Sequence, residues 1–367
     1  MWKKTFGGLL LVGTMCCGSM FAAPATSSNA TNSWNTNSEI ADGCGTSCAP
    51  KRDCAPCKSS CDSCEDDYFT AHVDWLFWKL HRSGMDYAVD NNGSVATVLD
   101  GHCCAVEPDR DHGVRIGMGY KTCDCWDLAL DYTHWQAEDS SSCGANDCTF
   151  ATTRAHPDVC TSAEYGYGAY ETSLHKIDLT AGYMVNAGCD VMVRPFAGIT
   201  LAFVDQSYDT IYWEDYLQGS GSDLYTIAEE VNMDAYGFMA GVDMSYGFWD
   251  CFSWFGRAAG TVAYGDFEVT YFSDHYELPS GTVSVDVDYS CDSSRIISML
   301  ELSTGFEWKF YDCDWAVFKL AIGWEMQSWH NMADFANFTD NKAEGNSGRQ
   351  NAAYGLEGLF VRVGGQF

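Results

Sequence analysis

From Tyr68 onward, apolar and polar residues alternate with a period of two along most of the chain. In Phe69-Thr70-Ala71-His72-Val73-Asp74-Trp75-Leu76-Phe77-Trp78, one face carries Phe69, Ala71, Val73, Trp75 and Phe77, and the other carries Thr70, His72 and Asp74. Successive side chains leave a strand on opposite sides, so this alternation predicts a strand with two unlike faces. The pattern returns in Val114–Tyr120, Trp126–Trp135, Leu174–Met184, Val191–Phe203, Asp234–Tyr246, Phe252–Tyr264, Ile296–Lys309, Trp315–Gln327 and Ala353–Phe367. Ten antiparallel strands are predicted. Gly281–Tyr289 and Ser94–Leu99 also alternate, which brackets the count at ten to fourteen.

The strands come as repeated hairpins. Around Cys125, Cys189, Cys251 and Cys313, which lie 64, 62 and 62 positions apart, a strand ends, a tight turn carries the cysteine, and a second strand begins. The opposite connections, about 81–113, 136–173, 204–233, 265–295 and 328–351, are long. Short turns on one side and long loops on the other are the layout of a transmembrane β-barrel.

A soluble barrel alternates too, so the chemistry of the two faces decides. One face holds Trp126, Leu128, Leu130 and Tyr132, or Phe318, Leu320, Ile322, Trp324 and Met326, with aromatics near strand ends, as suits a lipid boundary. The other mixes small residues with charges. On this phase the expected pore-lining residues are Arg115, Asp127, Asp131, Lys176, Asp178, Arg194, Asp243, Arg257, Glu301, Glu307, Lys319 and Glu325, with Asp74, Lys309 and Arg362 on the same face. Such an interior either lines a water-filled pore or pairs into a plug, and a ten-strand barrel is narrow. The alternation leaves both open.

Composition narrows the class. The 367 residues include 35 glycines but 7 prolines, and 14% are aromatic, a mixture that suits strands. A net charge of −31 argues against nucleic acid as a partner, since phosphate binding needs a basic surface. Met1–Ala25 reads as a signal peptide: Lys3 and Lys4, an apolar stretch Phe6–Met15, then a small-residue cut site near Ala23. The apolar run is too short for a membrane anchor, and Met15 stands where a lipoprotein signal on Cys16 or Cys17 needs a small residue.

Residues 26–67 form a polar, cysteine-rich segment with Cys44, Cys48, Cys54, Cys57, Cys61 and Cys64. Zinc modules leave a dozen or more residues between CxxC pairs, where this segment leaves three, and no thioredoxin-like setting surrounds them. Disulfides, within the segment or to other cysteine-rich envelope proteins, are the favoured reading. Cys125, Cys189, Cys251 and Cys313 fall on the same side of the predicted barrel and extend that set. Cys103, Cys104, Cys143, Cys148, Cys160 and Cys291 fall among the outer loops.

Asp74-Trp75-Leu76-Phe77-Trp78-Lys79 and the ending Gly355-Leu356-Glu357-Gly358-Leu359-Phe360-Val361-Arg362-Val363-Gly364-Gly365-Gln366-Phe367 resemble the Legionella-type major outer membrane protein family, in a cysteine-rich version similar to those of environmental relatives of the chlamydiae. The resemblance spans about 68–367. It implies a pore-forming barrel of a Gram-negative-type outer membrane, inserted through a C-terminal phenylalanine, here Phe367, with Val363, Val361 and Leu359 on its face. Gly365 departs from that ending, which usually places a larger apolar residue there. The chlamydial likeness implies an envelope stiffened by disulfide-linked proteins.

No cofactor, metal or catalytic set is expected. The acidic loop 107–113 fails as a calcium loop because Tyr120 stands where a glutamate is needed. Asp111-His112 and Asp274-His275 suggest a rim protease only by adjacency. The expected function is a porin-like channel for small hydrophilic solutes or ions that is also cross-linked into the envelope, with homo-oligomerisation left open. The alternative is a structural or adhesive barrel with a closed interior.

Overall fold

The structure is a computed structural model that describes residues 67–89, 102–122, 124–144, 150–155, 160, 162–187, 190–215, 222–278, 280–313, 315–338 and 347–367. The expected leader, the six cysteines from Cys44 to Cys64, and Cys123, Cys148, Cys189 and Ser94–Leu99 lie outside these residues.

Ten strands follow one another in chain order: β1 Tyr68–Arg82, β2 Arg110–Lys121, β3 Trp126–Gly144, β4 Tyr165–Tyr183, β5 Val191–Asp215, β6 Ser222–Trp249, β7 Phe252–Leu278, β8 Thr282–Cys313, β9 Ala316–Phe338 and β10 Ser347–Gln366. Each pairs antiparallel with its neighbours in sequence, and β10 closes on β1 from Thr70↔Gln366 to Arg82↔Tyr354. Two backbone bonds between Phe69 and Phe367, 3.0 and 2.8 Å, finish the seam. Closure satisfies every edge, which a lipid environment demands.

The expected faces are those observed. Trp75, Trp126, Phe238, Val262, Ile296, Phe306 and Ile322 are exposed on the outer wall, Phe238 to 78%. Their belt ends at Phe77 on β1, Phe203 on β5 and Tyr264 on β7. Gly365 accommodates the terminal aromatic: a Cβ there would meet the Phe367 ring at 2.8 Å, and that ring packs edge-on against Phe318.

The expected strand ends need correction. The stretches 204–233 and 265–295 are mostly strand rather than loop: β5 to β8 run 25, 28, 27 and 32 residues. Gly281–Tyr289 adds no new strand, because Thr282–Tyr289 is the outer part of β8. A tilted strand of that size reaches about 70 Å against an apolar band of about 25 Å. The wall therefore stands far above the membrane.

What changes at the membrane edge is the face that carries apolar side chains. On β5 the outer positions run Ile199, Leu201, Phe203, then Asp205, Ser207, Asp209, while the inner ones run Arg194, Thr200, then Val204, Tyr208, Tyr212. On β1 the inner positions pass from His72 and Asp74 to Leu76, Trp78 and Leu80. Lipid outside favours apolar residues there and polar ones within. Above the lipid, water outside reverses the preference, and the interior becomes an ordinary apolar core.

A four-stranded sheet occupies the outer end of that core: Cys103–Ala105, Asp86–Val89, Phe150–Thr152 and Ser162–Ala163, in that order. Its Tyr87, Ala88 and Phe150 are buried with Tyr208 and Tyr212 of the wall. The hydroxyls of Tyr208, Tyr212 and Tyr271 donate to the carbonyls of Met85, Tyr87 and Arg154 at 2.8, 2.5 and 3.0 Å. Arg154 reaches Glu229 of β6 at 3.4 Å. A disulfide joins Cys104 to Cys143 of β3, with their Cα atoms 6.2 Å apart.

Candidate functional site: a charged layer across the lumen

Inward-facing positions of all ten strands meet in one layer of charges within the membrane-level part of the barrel. Arg362 holds Asp74 through two bonds of 2.7 Å. Arg115 holds Glu325 through bonds of 3.0 and 2.7 Å, and also donates to Asp74 and Thr133 at 3.2 and 3.1 Å. On the other side of the lumen, Lys176 lies 2.8 Å from both Asp178 and Glu301, and Arg257 lies 2.8 Å from Glu301 and 3.5 Å from Asp243. Arg194 links Asp243 at 2.7 Å to Asp127 at 2.6 Å. His72 approaches Asp131 to 3.2 Å, and Lys319 approaches Glu307 to 2.9 Å.

Arg115, Asp127, Asp131, Lys176, Asp178, Arg194, Asp243, Arg257, Glu301, Glu307, Lys319 and Glu325 all point inward. The structure joins Asp127, Arg194, Asp243, Arg257, Glu301, Lys176 and Asp178 into one chain of contacts, and Arg115, Glu325, Asp74 and Arg362 into another. Lys309 differs: it bonds Asp312 at 2.7 Å near the β8–β9 turn and stays apart from the layer. His72 was legible as an inward residue but not as a partner of Asp131, because that contact crosses from β1 to β3.

Glycine opposite long side chains makes the layer possible. A Cβ on Gly117 would sit 2.1 Å from Asp131 Oδ1 and 2.2 Å from the His72 ring, and one on Gly182 would sit 2.4 Å from Arg194 Nε. These inner-face glycines vacate the volume that the His72–Asp131 and Arg194–Asp127 pairs fill.

The layer is dry. Asp74 has no exposed surface, and Lys176 and Arg194 have 1% each. The cavity among Arg115, Asp131, Lys176, Arg257, Glu301 and Arg362 measures about 20 Å³, space for about one water. Above the layer, Trp78, Trp135, Leu174, Trp329 and Tyr354 fill the lumen, and the four-stranded sheet covers them.

Asp111-His112 lies on β2 and Asp274-His275 on β7, five strands apart in a ring of ten and so on opposite sides of the barrel. His112 faces outward, where it accepts a hydrogen bond from Trp75 Nε1 at 3.1 Å. Among the described residues, no group of three metal-binding side chains occurs.

On the side of the short turns, Cys125 and Cys251 are each disulfide-bonded. Cys125 takes a left-handed backbone, φ 66°, in its turn. At the outer end Cys103 is an exposed thiol and Cys160 a buried one, and burial with the nearby Glu214 carboxylate pushes the Cys160 thiol up to about 12.

Among solved structures, the outer membrane protease OmpT of Escherichia coli is 10% identical over 84% of this chain and 99% of its own, with a TM-score of 0.36. The TodX deltaS2S3 mutant, a monoaromatic hydrocarbon channel, is 7% identical over 83% and 91%, TM-score 0.26. A Pseudomonas aeruginosa FadL homologue is 7% identical over 83% and 90%, TM-score 0.24. These distances are too great to carry chemistry from any of them to this chain. No curated protein matches. A family profile described as the Legionella pneumophila major outer membrane protein precursor matches residues 62–366. The chain belongs to that family of outer-membrane proteins, and its apolar belt is the surface that meets membrane lipid.

Proposed function

We propose that this protein is a structural barrel of the outer membrane, closed at rest and tied into the envelope by disulfides. The observation that carries this reading is the burial of the charged layer, in which Asp74, Lys176 and Arg194 have almost no exposed surface. A passage for hydrated solutes needs its charges wetted, and these are not. The cysteine-rich segment over 26–67 supplies groups for bonds to other cysteine-rich envelope proteins or to further copies of this chain, while Cys125 and Cys251 in the short turns are already disulfide-bonded.

A second reading is a channel for small hydrophilic solutes or ions that opens when the layer rearranges. It is favoured by the chemistry of the membrane-level lumen, where charged residues stand in place of hydrocarbon. Planar-bilayer recording of the refolded mature protein separates the two. Silence at 0.15 M salt, with heat-modifiable mobility showing a folded barrel, is expected. Stable conductance steps from the same folded protein would replace the closed barrel with the channel. Envelope samples run with and without reductant test the cross-links, and identical mobility would remove them from the proposal.

A further inference from the structure

We propose that the outer rim of the apolar belt, where β1, β2, β9 and β10 adjoin, binds the phosphate group of an outer-leaflet lipid through Lys79, Arg110 and His112. The belt on this sector ends at Phe77, Val114, Leu359 and Met326. The next outward positions are Lys79 and His112, followed by Arg110. They stand at the height where lipid headgroups begin.

Lys79 and Arg110 are direct register partners across β1 and β2. Like charges placed opposite one another repel, and an anion bound between them removes the repulsion. Neither has a carboxylate within salt-bridge distance among the described residues. The Arg110 guanidinium is instead held 5.6 Å from the ring centroid of Trp324, an outward residue of the belt. It is anchored at the apolar edge with donors to spare. Trp75 Nε1 only donates, so His112 Nδ1 accepts that bond and the imidazole hydrogen lies on Nε2, available to a phosphate oxygen. Glu357, the partner of Lys79 across β10, and Glu138, which the β2–β3 register sets beside Arg110, are carboxylates flanking this patch, and Glu357 Oε1 lies 2.9 Å from His81 Nε2.

The sector differs from the rim of β5, β6 and β7. On β5, β6 and β7 the corresponding positions are Asp205, Asp234 and Asp266. In a chain of net charge −31, cations gathered at one sector of the headgroup level mark a surface complementary to anionic lipid.

The test is lipid retention by the folded mature protein in detergent, read by native mass spectrometry. Diphosphorylated lipid A is the probe, phosphatidylcholine the neutral control and inorganic phosphate the free-anion control. The wild type is expected to retain lipid A over phosphatidylcholine, less so at high salt. The K79Q/R110Q double variant should lower retention roughly twenty-five-fold, at about a factor of five for each charge. E357Q should raise retention, a gain that misfolding does not produce. D205N/D234N, on the acidic sector, should leave it unchanged. Equal retention by K79Q/R110Q, equal retention of phosphatidylcholine, or displacement by millimolar inorganic phosphate would each overturn the proposal.

Discussion

The two halves of this barrel are built from the same strands and held by opposite means. At membrane level the wall is apolar outside and its lumen is filled by ion pairs such as Arg362–Asp74 and Lys176–Glu301. Above the membrane the wall is polar outside, as at Asp205 and Asp209, and its lumen is filled by Trp78, Tyr208, Tyr212 and Trp329. A single strand such as β5 crosses from one regime to the other between Phe203 and Asp205 with no break in its ladder to β6. The solvent outside decides what each half can hold inside. A membrane-level wall cannot draw on the hydrophobic effect to organise its interior against lipid, so it relies on pairing. The outer half has water around it and packs like a soluble protein.

The largest expected effect breaks the pairing. Asp74→Ala leaves Arg362 without its carboxylate inside a sealed layer, while Arg115 keeps Glu325, and uncompensated buried charge costs about 3–5 kcal/mol. Urea unfolding in lipid vesicles, followed by tryptophan fluorescence, measures it. Conductance of the same variant reports whether the layer is the seal, since bilayer steps absent from the wild type are expected once the pair is gone.

The matching change in the outer half is Leu174→Ala. Leu174 is fully buried in the apolar core one step above the charges, and its loss should cost about 2–4 kcal/mol through an empty cavity. No conductance should follow, because the four-stranded sheet still covers the lumen. If Leu174→Ala opened steps and Asp74→Ala did not, the seal would belong to the outer half.

Gly117→Ala comes next. It adds one methyl within 2.2 Å of His72 and Asp131 and should cost about 1–3 kcal/mol by overpacking, whereas Gly260→Ala, whose nearest neighbour lies 4.0 Å away, should be close to neutral. A thiol probe sharpens the outer half in the same way. The Cys160 thiol, buried and raised to about 12, should alkylate orders of magnitude more slowly than exposed Cys103 in the folded protein, as peptide mapping would show. Equal rates would mean that the covering sheet is open in solution.

The comparison also explains what the sequence made legible. Every one of the ten strands was visible, because within the lipid belt the alternation keeps one sense: Phe69 and Val73 out, Thr70 and His72 in. The strand ends were not visible. Past the belt the alternation continues with its faces exchanged, so stretches such as Asp205–Tyr212 look like polar loop when read in the original sense. The inward charges were equally legible as positions, since register follows from the period. Their partners were not: Arg115 meets Glu325 across the lumen, and Lys176 meets Glu301 four strands away, and no local pattern encodes which side chains cross a barrel. The four-stranded sheet over the lumen was missed because its strands have only two to four residues, too few to establish a period.

The smallest effect isolates the medium from the chemistry. His81 and Glu357 form a pair of 2.9 Å on the outer rim, one cross-strand step from Lys79, with side chains 52% and 35% exposed. The Arg362–Asp74 bonds of 2.7 Å join the same two strands five positions along β10 but have almost no contact with water. Asp74 and Arg362 are direct register partners joined by two bonds, whereas His81 reaches Glu357 diagonally through one, so geometry and solvation both favour the buried pair. An exposed pair loses to water and to side-chain entropy nearly what it gains, leaving at most about 0.5–1 kcal/mol, which salt screens further. His81→Gln should therefore shift the unfolding midpoint barely, and less at 1 M salt than at 0.1 M. The loss from Asp74→Ala should be nearly the same at both salt concentrations, because ions do not reach a layer that holds about one water. If the Asp74→Ala penalty shrank with salt as the rim pair's does, the membrane-level lumen would be wet, and the closed state would not be the resting one.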